Sequence, residues 1–96
     1  MASSHLSKIA LVTGASRGIG QSIAQELAAA DFKVYINYCY SPDGAKTVAE
    51  KINHDGGMAV PIRCDVSQPE DVTRMIRSIR EESGRIDVLV NNAGIT

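Results

Sequence analysis

The sequence predicts an α/β fold, a parallel sheet of strand order 3-2-1-4 with helices on both faces. Three observations predict it. Four short apolar runs alternate with three stretches of helical periodicity, which is the pattern of strands joined by helical crossovers. A glycine-rich turn, TGASRGIG, follows the first apolar run directly. A proline, Pro61, lies inside the third run, where it cannot donate to a ladder and so requires a sheet edge. Right-handed crossovers in a dinucleotide-type order place that third strand outermost.

Each element follows in turn. Residues 9–12 (Ile-Ala-Leu-Val) are continuously apolar, as in a strand buried on both faces. From Ile19 the period changes, and Ile19, Ile23, Ala24, Leu27 and Ala28 recur at helical spacing to the neighbourhood of Asp31. Residues 34–38 read as the second strand. Ser41-Pro42 supplies an N-cap and a proline in the first turn. Ala45, Val48, Ala49 and Ile52 then form the apolar stripe of the second helix, which Gly56-Gly57 stops. Residues 58–64 form the third strand. Ser67-Gln68-Pro69-Glu70 fits a capping box; Val72, Met75, Ile76 and Ile79 follow at helical spacing, and Gly84 ends the run. Residues 86–90 make the fourth strand, expected to be buried. No internal repeat or low-complexity linker divides the chain.

Composition narrows the function. The chain has 96 residues, 44% of them hydrophobic, enough for a packed core. Ten basic against eleven acidic residues give a net charge of −1 without a basic cluster, which argues against nucleic acid as a partner. No apolar run approaches the ~18 residues that cross a bilayer, so no membrane is expected. Residues 1–7 lack the make-up of a secretory signal and read as a disordered lead-in to a domain of residues 8–96. Cys39 and Cys64 have no metal-ligand spacing, so no metal is expected, and inert thiols point to a reducing, cytoplasmic compartment.

The glycines carry the sharpest chemistry. The first N–H groups of a helix lack intrahelical partners and stand at the positive end of its dipole. A pyrophosphate reaches them only where side chains do not intervene. Gly14 permits the turn out of the strand, Gly18 the approach of phosphate, and Gly20 close packing of helix on strand. The spacing, GxxxGxG, also suits a plain helix-capping turn.

Two further stretches join this one. TGASRGIG, Asp65-Val66 after the third strand and Asn91-Asn92-Ala93-Gly94 after the fourth together resemble the short-chain dehydrogenase/reductase family. LVTGASRGIG and IDVLVNNAGIT are most similar to its 3-oxoacyl-carrier-protein and acetoacetyl-coenzyme A reductase branch. The resemblance covers residues 8–96 and implies a partial Rossmann-type sheet, truncated after its fourth strand. It implies cofactor contacts from Gly14, Ser16, Arg17, Gly18, Ile19 and Gly20. It further implies that the Asp65 carboxylate accepts from the adenine amino group, with the Val66 backbone completing base recognition; Asp65 could instead cap a local turn. Asn92 is the expected direct contact from the last motif, while Ala93 and Gly94 leave room for ribose and nicotinamide.

Cofactor choice is read at the end of the second strand, where an acid would bond an NAD ribose. Here Asn37 stands there, and no acid follows before Asp43. A carboxamide does not repel a 2′-phosphate, and Arg17 can pair with one, if it is not a solvated surface cation. NADP(H) is expected ahead of NAD(H).

The family resemblance implies reduction of a carbonyl, such as a 3-oxoacyl thioester, through a serine and a Tyr-x-x-x-Lys pair. Tyr35, Tyr38 and Tyr40 are followed four positions on by Cys39, Pro42 and Gly44, so no such pair occurs and no catalytic residue is assigned. Two readings stand: the NADP(H)-binding part of a ketoreductase, or an inactive truncated binding or association module. With its later strands absent, the sheet is expected to leave a long apolar edge and to self-associate or take a complementing partner; a carbonyl substrate enters only with the remaining half.

Overall fold

The computed structural model describes residues 8–14, 18–40 and 42–91. Its elements are β1 (Lys8–Thr13), α1 (Gly18–Ala29), β2 (Phe32–Tyr38), α2 (Pro42–His54), β3 (Met58–Arg63), α3 (Pro69–Ser83) and β4 (Val88–Asn91). All strand pairs are parallel and the order is β3-β2-β1-β4, as expected. Pro61 sits on the edge strand β3, opposite Ile36.

Alternation of side chains across β1 and β2 builds two apolar layers. On one face Ala10, Val12, Val34 and Ile36 meet Ala24 and Ala28 of α1 and the Ala45-Val48-Ala49-Ile52 stripe of α2. On the other, Ile9, Leu11 and Tyr35 meet Met75 and Ile79 of α3. Coverage from both sides explains why β1 reads as an unbroken apolar run: every residue after Lys8 is buried. Each large aliphatic side chain so enclosed contributes ~1.5–3 kcal/mol. Tyr35 and Tyr38, three positions apart, pack on opposite faces.

Four local expectations are corrected. The buried ridge of α1 is Gly20, Ala24 and Ala28, four apart and small enough for close approach; Ile19 is 70% exposed. The N-cap of α3 is Gln68, without a side-chain cap bond, because the Ser67 hydroxyl donates instead to Asp65 Oδ1 at 2.6 Å. Gly84 does close that helix, its N–H reaching the Arg80 carbonyl at 2.7 Å. The fourth strand begins at Val88, since at Asp87 the side chain as well as the backbone serves β1. Asp87 Oδ2 accepts the Ile9 amide at 2.8 Å, and the Asp87 amide donates to the Ile9 carbonyl at 2.8 Å. Finally, β4 is an edge, as expected, but a short and half-covered one rather than long and buried. Val88 and Val90 pack on the α1/α2 side, while Leu89, paired with Leu11 on the α3 side, is 59% exposed. The lead-in and Ser41 lie outside the described residues.

Candidate functional site

Parallel strands bring all their carboxyl ends to one edge of the sheet. Register aligns Ile62, Asn37, Thr13 and Asn91 in a row along it. Chain order reverses between β1 and β4, the point at which open α/β sheets take their ligands. There Thr13, buried, donates from Oγ1 to the Val90 carbonyl (3.3 Å) and to Asn91 Oδ1 (3.2 Å), fastening the two strands.

The chain leaves β1 through Gly14 at φ 67° and enters α1 at Gly18 at φ 64°. Both lie in the left-handed region that a side chain disfavours by ~1–2 kcal/mol, which explains glycine at each. A Cβ on Gly18 would meet no atom within 4 Å among the described residues, so backbone conformation rather than crowding selects it. The first turn of α1 carries no acidic residue, whereas α2 has Asp43 and α3 has Glu70 and Asp71 there. No carboxylate of its own first turn therefore competes with an outside anion for its dipole. Ser16 and Arg17 lie outside the described residues, as do Asn92, Ala93 and Gly94.

Beyond β3 the chain forms a tight turn around Asp65. Its Oδ1 accepts from the Ser67 amide (3.0 Å) and hydroxyl (2.6 Å), and its carbonyl accepts from the Gln68 amide (2.9 Å). The Ser67 side chain and then its backbone hold the Asp65 carboxyl below the usual carboxylate range. Asp65 thus caps a local turn. That turn stands at the ligand edge and presents Val66 to solvent at 41% exposure. Across the edge, Tyr40 is 86% exposed; its hydrogen bond with Cys39 and the nearby charges of Cys39 and Asp65 raise its pKa. Ile19, Tyr40 and Val66 are three of the five large apolar side chains exposed among the described residues, all at this end of the sheet.

Asn37 is expected from the sequence to be a cofactor-binding residue. It stands at the end of β2, yet its side chain is buried and turned to backbone, with Nδ2 donating to the Cys64 carbonyl at 3.1 Å. Two residues of the edge escaped sequence reasoning. Thr13 looked like the first letter of a glycine loop, and nothing in the pattern shows that it grips β4. Asp71 carries no motif in the sequence; its Oδ2 accepts from the Asp65 amide at 3.3 Å and from Arg63 at 3.1 Å. A groove of about 570 Å³ elsewhere, along Val72, Ile76 and Arg80 of α3, holds none of the edge residues.

The short chain dehydrogenase family description matches residues 8–96. The chain belongs to that family. It is 47% identical over 91 residues to a 3-oxoacyl-[acyl-carrier-protein] reductase of Staphylococcus epidermidis, a match covering 95% of this chain and 37% of the relative. To the corresponding reductase of Synechocystis it is 46% identical over 89 residues, covering 93% and 36%. Among solved structures it is similar to a metagenomic short-chain oxidoreductase in complex with NADP (TM-score 0.87, 36% identity, 92% of this chain and 39% of that one). An actinorhodin polyketide ketoreductase with NADPH matches at TM-score 0.87 and 34% identity, covering 95% and 34%. The chain therefore spans little more than a third of the length of these short-chain dehydrogenases. Among the described residues no helix is long and apolar enough to cross a membrane, and no cluster of His, Cys, Asp and Glu is arranged to hold a metal.

Proposed function

We propose that this chain is the NADP(H)-binding part of a carbonyl reductase acting on a 3-oxoacyl thioester. The observation that carries the reading is the glycine-bounded start of α1. It is free of acidic side chains in its first turn and stands beside the Thr13–Asn91 seam at the carboxyl edge of a 3-2-1-4 sheet. The likeness to reductases of 3-oxoacyl-carrier protein, and to structures solved with NADP and NADPH, supports the same reading.

Gly14, Ser16, Gly18, Ile19 and Gly20 would hold the pyrophosphate on the helix amides. Arg17 would pair with the 2′-phosphate, a charge-assisted contact worth ~1.5–3 kcal/mol. Asp65 and Val66 would take the adenine, and Asn92, Ala93 and Gly94 the ribose and nicotinamide. The nicotinamide, when bound, supplies the hydride for carbonyl reduction. The residues of this chain bind and orient it; without a Tyr-x-x-x-Lys pair the 96 residues alone deliver no proton to the carbonyl oxygen and turn nothing over. Unbridged Cys39 and Cys64 fit a reducing, cytoplasmic setting.

Fluorescence titration of the purified chain with NADPH and NADH tests the reading. NADPH should bind the tighter, and Arg17→Ala should remove that preference by weakening NADPH roughly ten- to a hundredfold. Equal affinities in the parent chain would overturn the cofactor assignment, and turnover of a 3-oxoacyl thioester by it would overturn the statement that these residues alone are inactive.

A further inference from the structure

We infer that Asn37 is a positioning residue for the adenine end of the site, acting through β3 on Asp65, and that it does not meet the ribose 2′ group. The inference rests on the dinucleotide reading above, and it relocates the choice between NADPH and NADH.

Asn37 is the first residue of the corner, at the end of the second strand, where sheets of this kind carry the acid that selects NAD. Its side chain, however, is 4% exposed and lies on the α3 face, beneath Met75, whose sulfur is 3.9 Å from Nδ2. From there Nδ2 reaches the carbonyls of Cys64 (3.1 Å), Tyr38 (3.3 Å) and Ile62 (3.4 Å). Two of these belong to the carboxyl end of β3 and its exit.

That end needs a second hold. β3 is an edge strand, so only one flank pairs with a neighbour. The last rung from its exit is the Cys64 amide on the Tyr38 carbonyl at 2.9 Å. Asn37 grips the same segment by its carbonyls, one residue before Asp65. On the far side, Asp71 accepts from the Asp65 amide, and the Ser67 amide and hydroxyl donate to the Asp65 carboxylate. Asp65 is thereby located from the sheet as well as from α3.

Charge explains why the residue is an amide. A carboxylate at position 37 would turn acceptor oxygens toward carbonyl oxygens in a buried setting, with no donor to offer them. The absence of an acid is therefore required by the packing of β3. Discrimination at the 2′ group falls to residues beyond Tyr38 and to Arg17.

Asn37→Asp separates the two roles. If Asn37 selected the cofactor, the substitution would shift preference toward NADH by about tenfold or more. The expected result is weaker binding of both cofactors with their ratio held within about twofold. A second measurement needs no cofactor: the side-chain carboxyl of Asp65 is titrated by NMR in the parent chain, in Asn37→Ala and in Ile36→Val. The last trims a buried side chain of the same strand on the opposite face and controls for lost stability alone. Asn37→Ala should raise the Asp65 titration toward the ordinary aspartate value as the Ser67 turn loosens, while Ile36→Val leaves it in place. A swing of preference to NADH in Asn37→Asp, or an unmoved Asp65 in a folded Asn37→Ala, would overturn the inference. Should Asn37→Asp not fold, the titration decides alone. Should the parent chain bind neither dinucleotide, the cofactor reading fails while the Asp65 titration still judges the role of Asn37.

Discussion

Thr13 and Asn91 meet side chain to side chain at 3.2 Å across 78 residues of sequence, at the seam where strand order reverses. β4 is held to the sheet by β1 on one side, so this bond and its companion to the Val90 carbonyl secure the end of the strand from which the Asn92-Ala93-Gly94 segment departs. Thr13→Val keeps the shape and deletes the hydroxyl. It should cost about 0.5–1.5 kcal/mol, with the amides of β4 exchanging faster than those of β2. Urea unfolding followed by hydrogen exchange checks both; uniform exchange changes would mean that the bond does not secure β4 in particular.

Gly18 and Gly57 are glycines for different reasons, and alanine distinguishes them. At Gly18 a Cβ meets nothing within 4 Å among the described residues but φ is 64°, so Gly18→Ala should cost about 1–2 kcal/mol through the backbone alone. At Gly57 a Cβ would stand 2.8 Å from Ile52 Cγ2 and 3.2 Å from Ala28 Cβ, where α1 and α2 close together. Gly57→Ala should cost about 1–3 kcal/mol by overpacking. Similar melting losses should therefore accompany different binding losses, because only Gly18 borders the proposed pyrophosphate seat. Matched calorimetry and NADPH titration read the difference.

The end of α3 is tied to β2 by a buried hydroxyl. Tyr35, 1% exposed, donates to Glu82 Oε1 at 2.7 Å and lies 2.7 Å from Ser83 Oγ. Lys33 reaches the same pair from a more open position, 3.4 Å from Ser83 Oγ and 4.0 Å from Glu82, whose side chain is 58% exposed. Burial ranks the two. Tyr35→Phe should cost about 1–2 kcal/mol, and Lys33→Met less than about 1 kcal/mol. Chemical denaturation of both variants tests the order, and a larger loss at Lys33 would refute it.

What the sequence made legible was whatever writes itself in periodicity. The α2 stripe and the edge position of β3 follow from spacing and from Pro61 alone. The glycine turn is legible too, since Gly14 and Gly18 announce backbone conformation. Less legible was every role that depends on where a polar side chain turns. Asn37 carries the same letter whether it faces a ribose or the Cys64 carbonyl, and only its place on the α3 face of β2 decides. The same holds for Ser67, whose spacing to Glu70 fits a cap although its hydroxyl goes to Asp65. β4 misled because Leu89 is apolar in composition, while burial requires a helix over it that the described residues do not supply.

Acid should loosen this fold from two places at once. Asp87 is held below the usual carboxylate range first by its hydrogen bond with Arg85 and next by the Ile9 amide; Asp65 is held there by Ser67. A carboxyl depressed in the folded state binds fewer protons there than in the unfolded chain, so stability rises with pH across the window between the two values. The contribution is complete above the unfolded value, about 3.9, and is lost as pH falls through the folded one. Stability should therefore hold near neutrality and decline below about pH 4. Asp87→Asn keeps an acceptor for the Ile9 amide but removes the titration, so it should flatten the acid limb while lowering stability at neutral pH as the Arg85 pair loses its charge. Urea midpoints measured from about pH 7 down to about pH 2.5 would show it. An acid limb of unchanged steepness in both Asp87→Asn and Asp65→Asn would assign the decline to other carboxyls.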